Sequence, residues 1–125
     1  MISAKVKKLI RERDQYCWHC GSDTDLVIHH RRNRGSGGSK NPEINQPSNL
    51  MLICWYWNQA IESHYQSAEW SRMWGHKIAS WQDYSHPVFD RYAMGWYVLK
   101  NDGSKERVEL DEGRAVRLLL PELFD

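Results

Sequence analysis

The hydrophobic and polar positions fall into short segments of changing period. Residues 2–14 carry apolar side chains at Val6, Leu9 and Ile10 among Lys and Arg, with Ser3 placed to cap, and this predicts an amphipathic helix. Cys17 and Cys20 follow as a C-x-x-C knuckle closed by Gly21. The run DLVIHH at 25–30 is β-branched and apolar, which predicts a strand ending in two histidines. RRNRGSGGSKNPEINQPSN is rich in Gly, Ser, Asn and Pro and reads as a long loop, a kind that is usually functional inside a compact domain. NLMLIC at 49–54 is a second strand, and WYWNQAIESHYQSAEWSRMWG is one helix ending near Gly75. The order is strand, long loop, strand, helix.

The remainder has a different texture. KIASW and HPVFDRY are expected to be extended, with Pro87 between them. GWYVLKNDGSKERVEL predicts a β-hairpin turning at Asn101-Asp102-Gly103. DEGRAVRLLLPELFD is compatible with a strand or a short helix. No repeat or low-complexity linker interrupts the pattern. The expected class is therefore α+β, one domain over residues 1–125, with a core at 17–74 and a β-rich extension at 75–125.

Composition refines this picture. At 125 residues and 41% hydrophobic, the chain is the size of one domain and is not a disordered polymer. No apolar run approaches the roughly 20 residues that span a bilayer, and the basic N-terminus lacks the apolar stretch of a secretory signal. A soluble intracellular protein without membrane partners is expected. Net charge is +1, but it is unevenly spread. Residues 1–40 hold nine bases against four acids, and residues 41–125 hold eight against twelve. A basic front suits a face that meets phosphate, although a solvated surface gives the same pattern. Three cysteines, an odd number, argue against a disulfide framework and raise metal binding.

These elements together carry a resemblance. C-x-x-C, VIHHRRNRGSGG, PSNLMLIC and WNQAIES, in this order and spacing, resemble the HNH endonuclease family, and in particular the small HNH proteins encoded by tailed bacteriophages. HPVFDRY and GWYVL in the tail are similar to the same phage proteins. The resemblance implies a ββα-metal core with an N-terminal helix and a C-terminal hairpin extension. It implies a metal-dependent DNA endonuclease working in the host bacterial cytoplasm.

Particular roles follow from the match. His30 takes the place of the general base, for which an imidazole titrating near neutral pH is suited. His29 takes the place of the first metal ligand. Adjacent strand residues face opposite sides, so both can serve one site only if the strand ends or bends there. Asn49 matches the middle motif residue, whose amide oxygen can orient the base; taken alone it reads as a turn residue after Pro47-Ser48. The third motif residue is usually His and here is Asn58. Family members with Asn at this place are active, and an amide oxygen favours Mg²⁺ or Mn²⁺. Glu62 lies four residues on, as a further oxygen ligand or a surface acid. Arg31, Arg32 and Arg34 follow the base and are candidates for DNA phosphate contacts, with Gly35, Gly37 and Gly38 permitting close approach.

Zinc-bearing relatives complete a four-cysteine site with a second C-x-x-C. Here Cys54 keeps its first position and Trp57 holds the second. Cys17, Cys20 and Cys54 either hold structural zinc, with His19, His64 or water as the fourth ligand, or are buried thiols beside a space-filling Trp57. The two departures, at Asn58 and Trp57, keep a second function open: a weak or inactive DNA-binding scaffold, or a packaging accessory that contacts terminase or portal proteins.

Overall fold

The computed structural model describes residues 1–33 and 42–110. Among the described residues it is an α+β protein with three α-helices and two antiparallel sheets. Arg34, the glycines at 35, 37 and 38, and the tail at 111–125 lie outside the described residues. Among the described residues no helix is long and apolar enough to cross a membrane.

Helix α1 spans Ala4–Asp14, and Ser3 caps it by accepting the Val6 N–H. Gln15 ends it in the left-handed region. Strands β1 (Leu26–His30) and β2 (Leu50–Cys54) pair antiparallel, with His30 opposite Leu50 and Leu26 opposite Cys54. The expected loop between them carries two short 3-10 helices, Pro42–Asn45 and Pro47–Asn49. β2 is buried along its whole length because both of its faces are covered. Leu50 and Leu52 pack with Ile10 of α1, and Met51 and Ile53 join Trp18, Trp57, Ile61, Val88 and Leu99 in the larger core. A short run buried on both faces carries no period-2 signal, which is why LMLIC is apolar throughout.

The long helix predicted after β2 is two helices, α2 (Trp55–Ser63) and α3 (Tyr65–Met73). His64 separates them in an extended conformation, and its Nδ1 accepts the Ser67 N–H to start α3. The apolar period runs through the break, so it could not reveal it. The extension forms a three-stranded sheet of β3 (Val88–Asp90), β4 (Gly95–Leu99) and β5 (Lys105–Val108). The hairpin turns at the expected Asn101-Asp102-Gly103. KIASW is not a strand. This sheet is tied back to the knuckle, where Tyr16 Oη donates to buried Asp90 at 2.5 Å and the Arg91 N–H donates to the Trp18 carbonyl.

Gly75 closes α3 at φ +72°, and a Cβ there would stand 2.1 Å from the Pro87 carbonyl oxygen. Gly75→Ala is therefore expected to cost about 2 kcal/mol or more in urea unfolding, since both strain and a backbone clash oppose it. An unchanged midpoint would show that this turn can relax.

Candidate functional site

β1 ends in the two histidines, and strand alternation sends their rings to different partners. His29 is buried, and its Nε2–H donates to the His76 carbonyl at 2.7 Å. His30 is half-buried and donates from Nε2 to Asn45 Oδ1 at 2.9 Å. An amide oxygen only accepts, so the bond places a proton on His30 Nε2.

Asn49 does not perform the role expected of it. Its side chain is fully buried and bonds backbone instead of the His30 ring. Oδ1 accepts the Arg32 N–H at 2.7 Å, while Nδ2 donates to the carbonyls of Ile44 and Arg32. The Arg31 N–H donates to the Asn49 carbonyl. Asn49 thus extends the β1–β2 ladder past the strand ends and fixes the backbone that leaves His30. The residue that bonds the His30 ring is Asn45, in the first 3-10 helix. Nothing in the local sequence marked it, because the contact crosses a long connection.

Arg31 is also corrected. It is fully buried, not at the surface. Nε donates to the Gly75 carbonyl, Nη1 to those of Ser48 and Tyr84, and Nη2 to that of His86. Burial, then the charges of Arg13 and Arg32, pulls its pKa down to about 9, which leaves it charged at neutral pH. Arg32 is partly exposed, with its guanidinium over the Tyr84 ring and bonded to Tyr84 Oη and the Gln82 carbonyl.

Arg32 nevertheless lines a cleft of about 370 Å³ with Asn33, Arg72, Lys77 and Ser80. Three cations and no acid among its lining residues make this a basic cleft. Arg72 and Lys77 were not anticipated, since neither belongs to a basic run in the sequence. Lys77 Nζ pairs with Glu62 at 3.3 Å, and Arg72 lies 3.8 Å from Glu69.

The expected oxygen-rich ion site is only partly assembled. Among the described residues, no cluster of three His, Cys, Asp or Glu donors includes His29. Asn58 is half-buried on α2, one turn before exposed Glu62, and the Glu62 charge acts on His29. His29 itself has the chemistry of a ligand. Burial lowers its pKa to about 4, so the ring is neutral, and its Nε2–H is held by a carbonyl, as the outer ring nitrogen of a metal-bound imidazole usually is.

The cysteines do come together. The Sγ atoms of Cys17, Cys20 and Cys54 lie within 4.8 Å of one another and could hold a metal ion. The His19 N–H donates to Cys17 Sγ and the Trp57 N–H to Cys54 Sγ, both at 3.3 Å. Burial pushes the Cys17 thiol up to about 12, so a thiolate there calls for a neighbouring cation.

His76 is a further residue that the sequence did not mark. Fully buried, it donates from Nε2 to the Phe89 carbonyl and accepts the Trp57 indole N–H at Nδ1. Burial holds its pKa near 3. No family model matches this chain, and no curated protein or solved structure matches it.

Two outcomes follow from the buried groups. Arg31→Met leaves four carbonyls without their donor and is expected to cost about 3–5 kcal/mol in urea unfolding. Unchanged stability with weakened DNA binding would instead return Arg31 to the surface. His29 and His76 refuse a proton that the unfolded chain accepts near pH 6.5. Above that pH both states are neutral and neither ring contributes. Below it the unfolded state takes up protons and stability falls, approaching about 1.4 kcal/mol per pH unit for each histidine. Unfolding measured from pH 7 to 5 should show this slope, and His76→Gln should make it shallower. An identical slope in that variant would contradict the assignment.

Proposed function

We propose that this protein is a metal-dependent DNA endonuclease of the HNH type, with a ββα-metal core formed by β1, β2 and α2. The observation that carries the reading is the His30–Asn45 hydrogen bond. It places a proton on Nε2, which would leave the base's role to Nδ1, two residues before an arginine that lines the basic cleft. His30 Nδ1 takes the proton of a water whose oxygen attacks phosphorus, and the bond to the 3′ oxygen breaks. Arg32, Arg72 and Lys77 bind the flanking phosphates and hold the backbone in register. His29, Asn58 and Glu62 would hold one divalent ion, Mg²⁺ or Mn²⁺, which would supply Lewis-acid stabilisation of the leaving oxygen. Contacts of this kind read the phosphate backbone, so sequence preference should be weak.

The Lys77–Glu62 ion pair favours a second reading, because an ammonium already neutralises the one carboxylate of the set. On that reading the chain binds DNA without cutting it, as an accessory to phage packaging through terminase or portal proteins.

Supercoiled plasmid separates the two. With Mg²⁺ or Mn²⁺ the wild type should nick or linearise it, and EDTA should stop the reaction. His30→Ala should lower the rate by about 100-fold or more, and Asn45→Ala by about tenfold, with circular dichroism unchanged. If wild type and His30→Ala both bind DNA and neither cuts it with Mg²⁺, Mn²⁺ or Ni²⁺, the nuclease reading fails and the accessory reading stands.

A further inference from the structure

A second concavity lies away from the histidines. It is a groove of about 740 Å³ lined by Cys20, Cys54, Asp25, Val27, Trp55 and Tyr56. Two of the three clustered cysteines therefore open onto it. Cys20 is exposed, while Cys17 and Cys54 are buried.

The sulfur spacing fits a tetrahedral ion. With metal–sulfur bonds of about 2.3 Å, the edge of such a tetrahedron is roughly 3.8 Å. Cys20 Sγ and Cys54 Sγ are 3.9 Å apart. Among the described residues no further His, Cys, Asp or Glu joins the cluster. His19, the nearest candidate in sequence, has its ring flat on Trp57 at 3.9 Å and 7°, and its buried Nδ1 has no hydrogen-bond partner. Trp57 keeps the backbone N–H bond to Cys54 that a cysteine there would make, but its indole N–H goes to His76.

Three clustered cysteine sulfurs beside an open groove match the donor set of a metal that exchanges a ligand, in contrast to a closed four-donor structural site. Thiolate donors select soft ions, and soft ions prefer a soft fourth donor. Val27, Trp55 and Tyr56 give the groove an apolar wall suited to the carbon body of a small thiol. We propose that Cys17, Cys20 and Cys54 bind one thiophilic divalent ion whose fourth position faces this groove and takes an exchangeable external thiolate. The inference stands apart from the nuclease reading, since it uses neither His30 nor the basic cleft.

Cobalt(II) tests it on the full chain, reduced without thiols. One cobalt per chain is expected at the sulfurs, seen as sulfur-to-metal charge-transfer and tetrahedral d–d bands. Titration with 2-mercaptoethanol should shift both bands saturably, and His19→Ala should leave that shift unchanged. Cys20→Ser, at an exposed position that tolerates the change, should weaken cobalt binding by about tenfold or more. Spectra that ignore 2-mercaptoethanol would show a site closed by the protein. Spectra altered by His19→Ala would name His19 as the closing ligand. Failure to bind stoichiometric cobalt would remove the site itself. Each of these three results overturns the proposal.

Discussion

A single buried guanidinium organises the region around the histidines. Arg31 leaves the end of β1 and collects the carbonyl of Ser48 and, from a second stretch of chain, those of Gly75, Tyr84 and His86. Burying a cation costs several kcal/mol in lost hydration. Four charge-assisted hydrogen bonds, at about 1.5–3 kcal/mol each, are of the size needed to offset that cost. The backbone of the same residue joins in, giving its N–H to Asn49 and accepting the N–H of Ile78. The segment from Gly75 to His86 has no regular ladder of its own, and this charge holds it against the β1–β2 ends. Lys77, Ile78 and Ser80 then form one wall of the basic cleft, so Arg31 contributes to that face without being exposed on it.

The histidines share the same dependence. His76 follows Gly75, and its carbonyl receives the His29 ring. Its own ring bridges Trp57 on α2 and Phe89 on β3. A chain of polar contacts therefore runs from β1 through the segment after α3 to both α2 and the second sheet, inside an aromatic core. Every ring in it is neutral, and every N–H points at a defined acceptor. Such networks specify one arrangement because a half-satisfied alternative would strand a buried polar group.

Local pattern was enough for α1 with its Ser3 cap, for β1 and for the Asn101-Asp102-Gly103 hairpin, because each is decided within a few residues. The break at His64 was not legible, since it depends on one side chain capping the next helix while the apolar period continues. The site was legible in its residue types and less so in its roles. Arg31, Arg32 and Arg34 form one run in the sequence, and only the distant Gly75–His86 segment decides that the first is interior. Asn45 and Asn49 are both asparagines in a polar connection, and which one meets His30 is set by how that connection folds. Lys77 and Arg72 reach the cleft from α3 and the turn after it, and no spacing rule connects them to β1.

The two candidate metal centres sit at opposite ends of one hairpin. His30 pairs with Leu50 and Leu26 with Cys54, so four residue steps, roughly 13 Å of strand, separate the histidines from the thiols. Their donors differ in kind: imidazole, amide and carboxylate at one end and three sulfurs at the other. Ions would therefore partition between them by hardness instead of competing. α2 connects the two. Cys54 is its N-cap, accepting the Trp57 N–H through sulfur, and Asn58 and Glu62 lie one and two turns further along. A cation on the three sulfurs would fix the Cys54 side chain, and with it the first turn of α2. On the proposed reading, the direction in which Asn58 and Glu62 face His29 would then be set partly at the sulfur end.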